Sequence, residues 1–253
     1  MKAEGSGRTD ERLPVSVCMA TYNGARFIGE QLRSILCQLD DDDEVIISDD
    51  GSTDGTVAIL RAFADSRIRI LERGGHRKDP VNNFGNALEN ARFSIVFLAD
   101  QDDLWAVHKV KTVVRLLEKY DLIVTDCSLI DEHGSILAAS FFEQHGSRPG
   151  FWSNLIKNSY LGCCMAFRRS LLEKALPLPA NIPMHDIWLG MLVEWYGTPH
   201  FYPEPLVAYR RHGTNATMTG GTSPHTFRKK IMFRYHLLHC LAQRIFERSQ
   251  VPL

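Results

Sequence analysis

Two hydrophobic periods take turns along this chain. Short apolar runs at Val15–Ala20, Glu44–Ser48, Ile68–Leu71, Ile95–Leu98 and Leu122–Thr125 have the length and Val/Ile/Leu content of strands. Between them, apolar residues recur at helical spacing. From Arg26 to Gln38 the stripe is Phe27, Gln31, Ile35 and on to Leu39, widened by Leu32 and Leu36. Thr56–Ala64, Pro80–Ala91 (proline in its first turn) and a long segment Leu104–Tyr120 read as further helices. Strands alternating with helices predict an α/β fold with a mostly parallel central sheet flanked by helices.

After about residue 127 the pattern loosens. Residues 131–160 mix Gly, Ser and Pro with Phe141, Phe142, Phe151 and Trp152 and show no clean period. Helical spacing returns at Arg169–Ala175 and at Asp186–Tyr196, the latter closed by Gly197. Residues 200–210 read as paired short strands around Pro203 and Pro205. The pattern thus divides into a tail (1–12), one α/β domain (13–222) and a C-terminal helical segment (223–253). Within the domain, about 13–127 reads as a nucleotide-binding half and about 128–222 as a substrate-facing half.

The C-terminal segment has its own character. Ile231, Leu238, Leu241 and Ile245 form an amphipathic stripe, and Arg228, Lys229, Lys230, Arg234, Arg244 and Arg248 face Glu247 alone among acids. A basic amphipathic helix suits an anionic membrane surface. It equally suits a terminal helix packed on its own domain with a solvated basic face.

Composition narrows the class. With 253 residues, 44% hydrophobic, 23% charged and net charge −1, the chain buries a full core and has no general pull toward nucleic acid. The six cysteines show no CxxC or zinc spacing and read as buried free thiols of a reducing compartment. No apolar run approaches the about 18 residues a membrane span needs. Met1–Arg12 lacks the apolar core of a signal peptide, so a cytosolic protein is expected and the Asn215-Ala216-Thr217 sequon reads as coincidental.

The chemistry gathers at strand ends. The run Ile95–Leu98 ends in Asp100-Gln101-Asp102-Asp103, three carboxylates within four residues. Such charge density belongs at a strand's mouth, where hard divalent cations bind through carboxylates and substrate phosphates. Asp103, just before Leu104, reads as a helix cap, leaving Asp100 and Asp102 to face a metal. The first strand ends in Thr21-Tyr22-Asn23-Gly24 and the second in Asp49-Asp50-Gly51-Ser52-Thr53-Asp54, with Asn82-Asn83-Phe84-Gly85 between them and the acids. Parallel strands put their carboxyl ends on one edge, so these loops converge. Ser52 or Asp54 capping a helix explains part of the second loop, but not the Asp49-Asp50 pair; a carboxylate there suits the imide N–H of uracil or thymine. Asp186, in His185-Asp186-Ile187-Trp188, reads as a helix N-cap or as a general base. Tyr209-Arg210-Arg211-His212-Gly213 suits a diphosphate or a metal, or is a solvated turn. Signatures of dinucleotide-binding, P-loop, zinc-protease and serine-hydrolase folds are absent from the sequence.

Val15–Gly24, Ser48–Thr56 and Phe97–Trp105 with Lys109 resemble the family 2 glycosyltransferases, inverting enzymes of the Rossmann-like GT-A fold; the similarity covers roughly residues 14–215. Asp-Gln-Asp-Asp-Leu-Trp, with Leu161-Gly162-Cys163 and His185–Trp188, looks most like bacterial rhamnosyltransferases of cell-surface polysaccharide assembly. The resemblance implies that Thr21, Tyr22, Asn23, Asn83 and Gln101 line a nucleotide pocket, with Asp49 or Asp50 reading the base. It implies that Asp100 and Asp102 straddle the ribose and a Mg²⁺ or Mn²⁺ that His212 completes, and that Asp186 deprotonates the acceptor. Trp105, Gly162, Cys163, His185, Trp188 and Arg210 would surround donor sugar and acceptor. The family more often has Glu-Asp where this chain has His185-Asp186. The implied donor is dTDP-rhamnose or a UDP-hexose, and the implied acceptor a glycan, lipid-linked at the cytosolic membrane face. Two other readings stay open: a non-catalytic sugar-nucleotide-binding module, and a nucleotidyltransferase, which would want a Gly-rich basic loop after the first strand.

Overall fold

The computed structural model describes residues 12–72, 79–213 and 226–249. The stretch 1–11, the Asn215–Thr217 sequon and the expected boundary at 222/223 lie outside them. Four strands, β1 (Val15–Thr21), β2 (Glu44–Asp49), β3 (Ile68–Glu72) and β4 (Ile95–Asp100), form a parallel set. Their crossovers are α1 (Ile28–Leu36), α2 (Thr56–Ala62) and α3 (Pro80–Glu89). The middle strands are apolar along their length because helices cover both sheet faces. Asp79 caps α3, its side chain accepting from the Asn82 N–H ahead of Pro80.

The sheet continues through β5 (Leu104–Trp105), β6 (Leu122–Ile130), β7 (Ile136–Ala138), β8 (Met165–Arg168) and β9 (Pro199–Arg210), in the order β3-β2-β1-β4-β8-β6-β9-β5 with β7 beside β6. Antiparallel β8 joins the two halves, pairing with both β4 and β6. The remaining helices are α4 (Lys109–Leu116), α5 (Phe141–His145), α6 (Phe151–Ile156), α7 (Ser170–Ala175), α8 (His185–Tyr196) and α9 (Phe227–Ser249). The expected α/β architecture is therefore present. β1 is flanked by β2 on one side and β4 on the other, and its register sets Thr21 beside Asp49 and Ala20 beside Asp100. Chain reversal on either side of β1 opens a crevice at these carboxyl ends.

Several local expectations change. Leu104–Tyr120 is not one helix: Leu104 and Trp105 pair with Ala208 and Val207 of β9, and the helix starts at Lys109. Asp103 is accordingly no cap; it is buried and accepts the Arg210 N–H at 2.9 Å. Residues 200–210 are part of one strand, and the register shifts opposite Thr125 and Asp126 absorb the prolines, which lack an N–H for the ladder. β6 runs on to Ile130 because its buried Asp126 is satisfied by the Phe142 N–H at 2.9 Å and by Ser140. The aperiodic stretch 131–160 holds α5 and α6, of 5 and 6 residues, too short to show a period. Arg12 is anchored, not part of a tail, with Nη1 donating to Asp43 at 3.0 Å. All six cysteines are free, four of them buried, while Cys37 is exposed and Cys240 half-buried. In α9 the inward residues are Leu237 and Leu241, whereas Ile231 and Leu238 of the expected stripe face solvent. Among the described residues no helix is long and apolar enough to cross a membrane.

Candidate active site

Three loops at the carboxyl edge are tied into one platform. Gln101, in the acidic loop, accepts from Thr21 Oγ1 at 2.6 Å and the Tyr22 N–H at 2.9 Å, and donates to the Tyr22 carbonyl at 3.2 Å. Asn23 adopts a left-handed φ of 50°, a conformation Asn tolerates better than most residues. That turn lets its Oδ1 accept the Thr53 N–H at 2.8 Å while its own N–H reaches Ser52 Oγ at 2.8 Å. Asn83 donates to the Thr21 carbonyl at 3.1 Å, fixing α3 to the same strand end.

The Asp49-Asp50 pair divides in role. Asp49 closes its own turn, accepting the Gly51 and Ser52 N–H groups at 3.1 and 2.8 Å. Gly51 there has φ 80°, which favours glycine. Asp50 is buried and accepts the Asp79 N–H at 3.0 Å, with its own N–H on the Thr21 carbonyl at 3.0 Å.

The acids of the β4 mouth differ from one another. Asp100 ends the strand, its carbonyl accepting Gln31 Nε2 at 2.9 Å. Burial, then the charges of Asp102 and Asp186, push its carboxyl up to about 8. Asp102 Oδ2 lies 2.7 Å from His212 Nε2, which brings two of the residues expected at a metal together across the chain. Ligand atoms of Asp100, Asp103 and Cys163 lie within 4.8 Å of one another. Of the expected ligands Asp100 belongs to that cluster, whereas Asp102 and His212 meet each other at 2.7 Å; a thiol suits soft metals better than Mg²⁺ or Mn²⁺. Repulsion among carboxylates gathered at one strand mouth is what a divalent cation would relieve.

Asp186 comes from the opposite side, as the second residue of α8; Met184, not Asp186, is the cap. Burial pushes its carboxyl up to about 7, offset by hydrogen bonds from the Ile187 and Gly162 N–H groups and the Asn158 side chain. Gly162 lies against this turn: a Cβ there would sit 2.9 Å from His185 Nε2. His185 stacks on Phe84 at 3.9 Å, and burial drives it down to about 3, so it stays neutral. Neither ring nitrogen has a hydrogen-bond partner among the described residues.

Other expected sugar-contacting residues take structural positions. Trp188 is fully buried, its Nε1 donating to the Ala175 carbonyl at 3.1 Å, and pins α8 to α7. Trp105 is buried under Lys109 Nζ, 4.0 Å from the ring, and Cys163 is fully buried. Arg210 braces the acidic loop from within, donating to the Asp102 carbonyl and to Glu30, each at 2.9 Å. Two positioning residues escape the sequence reading, Gln31 and Glu30; Lys109 of the motif is fully buried and its Nζ donates to the Cys163 carbonyl at 2.8 Å. Gln31 had left a signal, as a polar residue on the apolar stripe of α1.

Comparison with known proteins agrees with this geometry. The dTDP-rhamnosyl transferase RfbG of Shigella flexneri is 38% identical over 109 residues, 39% of this chain and 36% of that protein. The UDP-Glc:alpha-D-GlcNAc-diphosphoundecaprenol beta-1,3-glucosyltransferase WfgD of Escherichia coli is 25% identical over 185 residues, 70% of this chain and 69% of that one. The crystal structure of S. aureus TarS with UDP-GlcNAc shares the fold, with TM-score 0.69 at 18% identity, over 92% of this chain and 66% of that chain. The family model described as Glycosyl transferase family 2 matches residues 16–176, well over half of the sequence, and the chain belongs to that family of glycosyltransferases.

Proposed function

We propose that this chain transfers a sugar from a nucleotide-sugar donor to a glycan hydroxyl by a single, inverting displacement. The carrying observation is geometric: Asp186 lies against Gly162, and the Sγ of the next residue, Cys163, lies within 4.8 Å of the carboxylates of Asp100 and Asp103. Residues far apart in sequence thus bring their charge to one place. A pure binding module has no use for a third carboxylate on the far side of the pocket.

Thr21, Asn23 and Asp50 form the nucleoside side; Asp49 closes its own turn, and Asp50, which also accepts the Asp79 N–H, is the carboxylate that reads an imide N–H. Asp100, Asp102 and His212 would hold a Mg²⁺ or Mn²⁺, which when bound offsets charge on the departing diphosphate. Asp186 accepts the proton of the acceptor hydroxyl as it attacks the anomeric carbon. A carboxyl raised to about 7 is matched to base catalysis near neutral pH. Neutral His185 lies beside it without adding charge.

For the donor, the RfbG likeness, over 39% of this chain, favours dTDP-rhamnose. The longer WfgD match, to a UDP-Glc enzyme, favours a UDP-hexose. Both donors present the same imide to Asp50. The acceptor is a lipid-linked glycan at the cytosolic membrane face. A donor panel with Mg²⁺ or Mn²⁺, reading release of UDP, dTDP or GDP, tests the proposal. Release of dTDP from dTDP-rhamnose alone supports the rhamnosyl reading, and UDP release from a UDP-hexose the other. Failure to bind or turn over every donor refutes both.

A further inference from the structure

The described surface carries an apolar face that the transfer chemistry does not use. Arg234 of α9 donates to the Leu155 carbonyl at 2.9 Å and also to that of Ile156. Arg244 donates to the carbonyls of Lys174 and Leu176 at 2.7 and 3.0 Å. These two arginines, with buried Leu237 and Leu241, fix which side of α9 faces the domain. The opposite side carries Ile231, Tyr235, Leu238 and Phe246, with exposed Ala242 between the last two; Tyr235 is 65% and Phe246 70% exposed.

A second exposed apolar group lies on α6 and α8. Ile156, whose carbonyl receives Arg234, is 70% exposed, and Trp152 one turn earlier is 72% exposed. Phe151 links Trp152 to exposed Trp195, with ring centroids 5.2 and 6.2 Å away. Trp152 and Trp195 thus form an exposed aromatic group on α6 and α8, and Arg234 joins α6 to α9.

We propose that this face docks α9 flat on an anionic lipid surface. Charge selects that occupant. The whole chain carries a net charge of −1, yet α9 opens with Arg228, Lys229 and Lys230; Arg234 and Arg244 are bound to backbone carbonyls of the domain, so residues 228–230 are the cationic end that meets the lipid. Arg228 and Lys229 are exposed at its N-terminal end. A second copy laid parallel along the same face would bring these basic ends together, whereas lipid phosphates neutralise them. Trp and Tyr settle at the headgroup level, and a helix with cations beside an apolar face lies in the interface plane. The docking is independent of the transfer reaction, so either stands if the other fails.

The test uses the chain's own tryptophans. Trp105 and Trp188 are buried, so Trp152 and Trp195 report on this face. On adding phosphatidylglycerol/phosphatidylcholine vesicles at low salt, the protein should co-sediment, its emission should shift to the blue, and brominated lipid should quench it. Arg228→Gln with Lys229→Gln should weaken partitioning by about fivefold per cation. Trp152→Ser with Ile156→Ser should remove most of the shift. Circular dichroism confirms that these surface variants fold, and donor turnover without vesicles should not change. No co-sedimentation of the intact chain overturns the proposal, as does undiminished binding by both variants. Self-association abolished by the same substitutions, without vesicle binding, assigns the face to a second copy instead.

Discussion

Gly24→Ala should loosen the nucleotide platform at one identifiable joint. Gly24 has no left-handed φ, so alanine brings no backbone strain. The added methyl would instead sit 2.3 Å from Gln101 Oε1 and 2.6 Å from its Cδ. Gln101 is flexible, but moving it breaks its bonds to Thr21 Oγ1, the Tyr22 N–H and the Tyr22 carbonyl. At about 1 kcal/mol net for each hydrogen bond, the expected loss is roughly 2–3 kcal/mol. That is about 4–12 °C in Tm for a domain of this size. Donor KM should rise, because Gln101 ties the β1 loop to the acidic loop. Urea denaturation and donor titration read the two effects. A cycle with Gln101→Ala separates cause from coincidence: in that background Gly24→Ala should cost within about 0.5 kcal/mol of nothing. An undiminished cost there, or no cost in the parent, refutes the reasoning.

Further expectations follow from the charges. Because Asp186 must be ionised to act and burial holds it up to about 7, kcat/KM should rise through neutral pH to a plateau and fall on the acid side; activity that increases as pH drops below about 6 contradicts it. His212→Ala should weaken metal-dependent donor binding in calorimetry and leave metal-free binding nearly unchanged, since the imidazole meets Asp102 at 2.7 Å; equal affinities with metal present remove His212 from the site. Glu44 is pushed up by burial, but bonds from Ser16, Arg92 and Arg69 outweigh this and hold its carboxyl below the ordinary range. A carboxyl lowered by folding stabilises above its ordinary range, and that stability is lost as pH falls through the folded value. Glu44→Gln should therefore cost roughly 1–3 kcal/mol at neutral pH and flatten the acid limb of the stability profile, read by denaturation at pH 7 and pH 3.

What was legible in the sequence came from local pattern plus topology. Buried parallel strands are continuous apolar runs, so their ends, and the Thr21, Asp49 and Asp100 that share one edge, could be located without coordinates. What was not legible depended on partners far along the chain. Leu104 and Trp105 fit a helical stripe equally well, and β9 decides the matter by pairing with them. Asp103 looks like a cap until Arg210, 107 residues on, donates to it. Trp188 sits in a motif beside Asp186, yet one helical position turns it into the core, where its indole finds Ala175. The α9 stripe misled for a related reason: two arginines reaching backbone carbonyls rotate the helix, so that Leu237 goes in and Leu238 stays out.

The central claim is that Asp186, facing the acids of the β4 mouth, removes the acceptor proton while those acids hold the leaving group. Asp186→Asn tests it most directly, with donor affinity measured by calorimetry and sugar transfer measured on the same sample with metal present. The account predicts donor binding within about threefold of the parent and transfer lowered by about 10²–10⁴-fold or more. Transfer near the parental rate would contradict it, as would an equal collapse of donor binding.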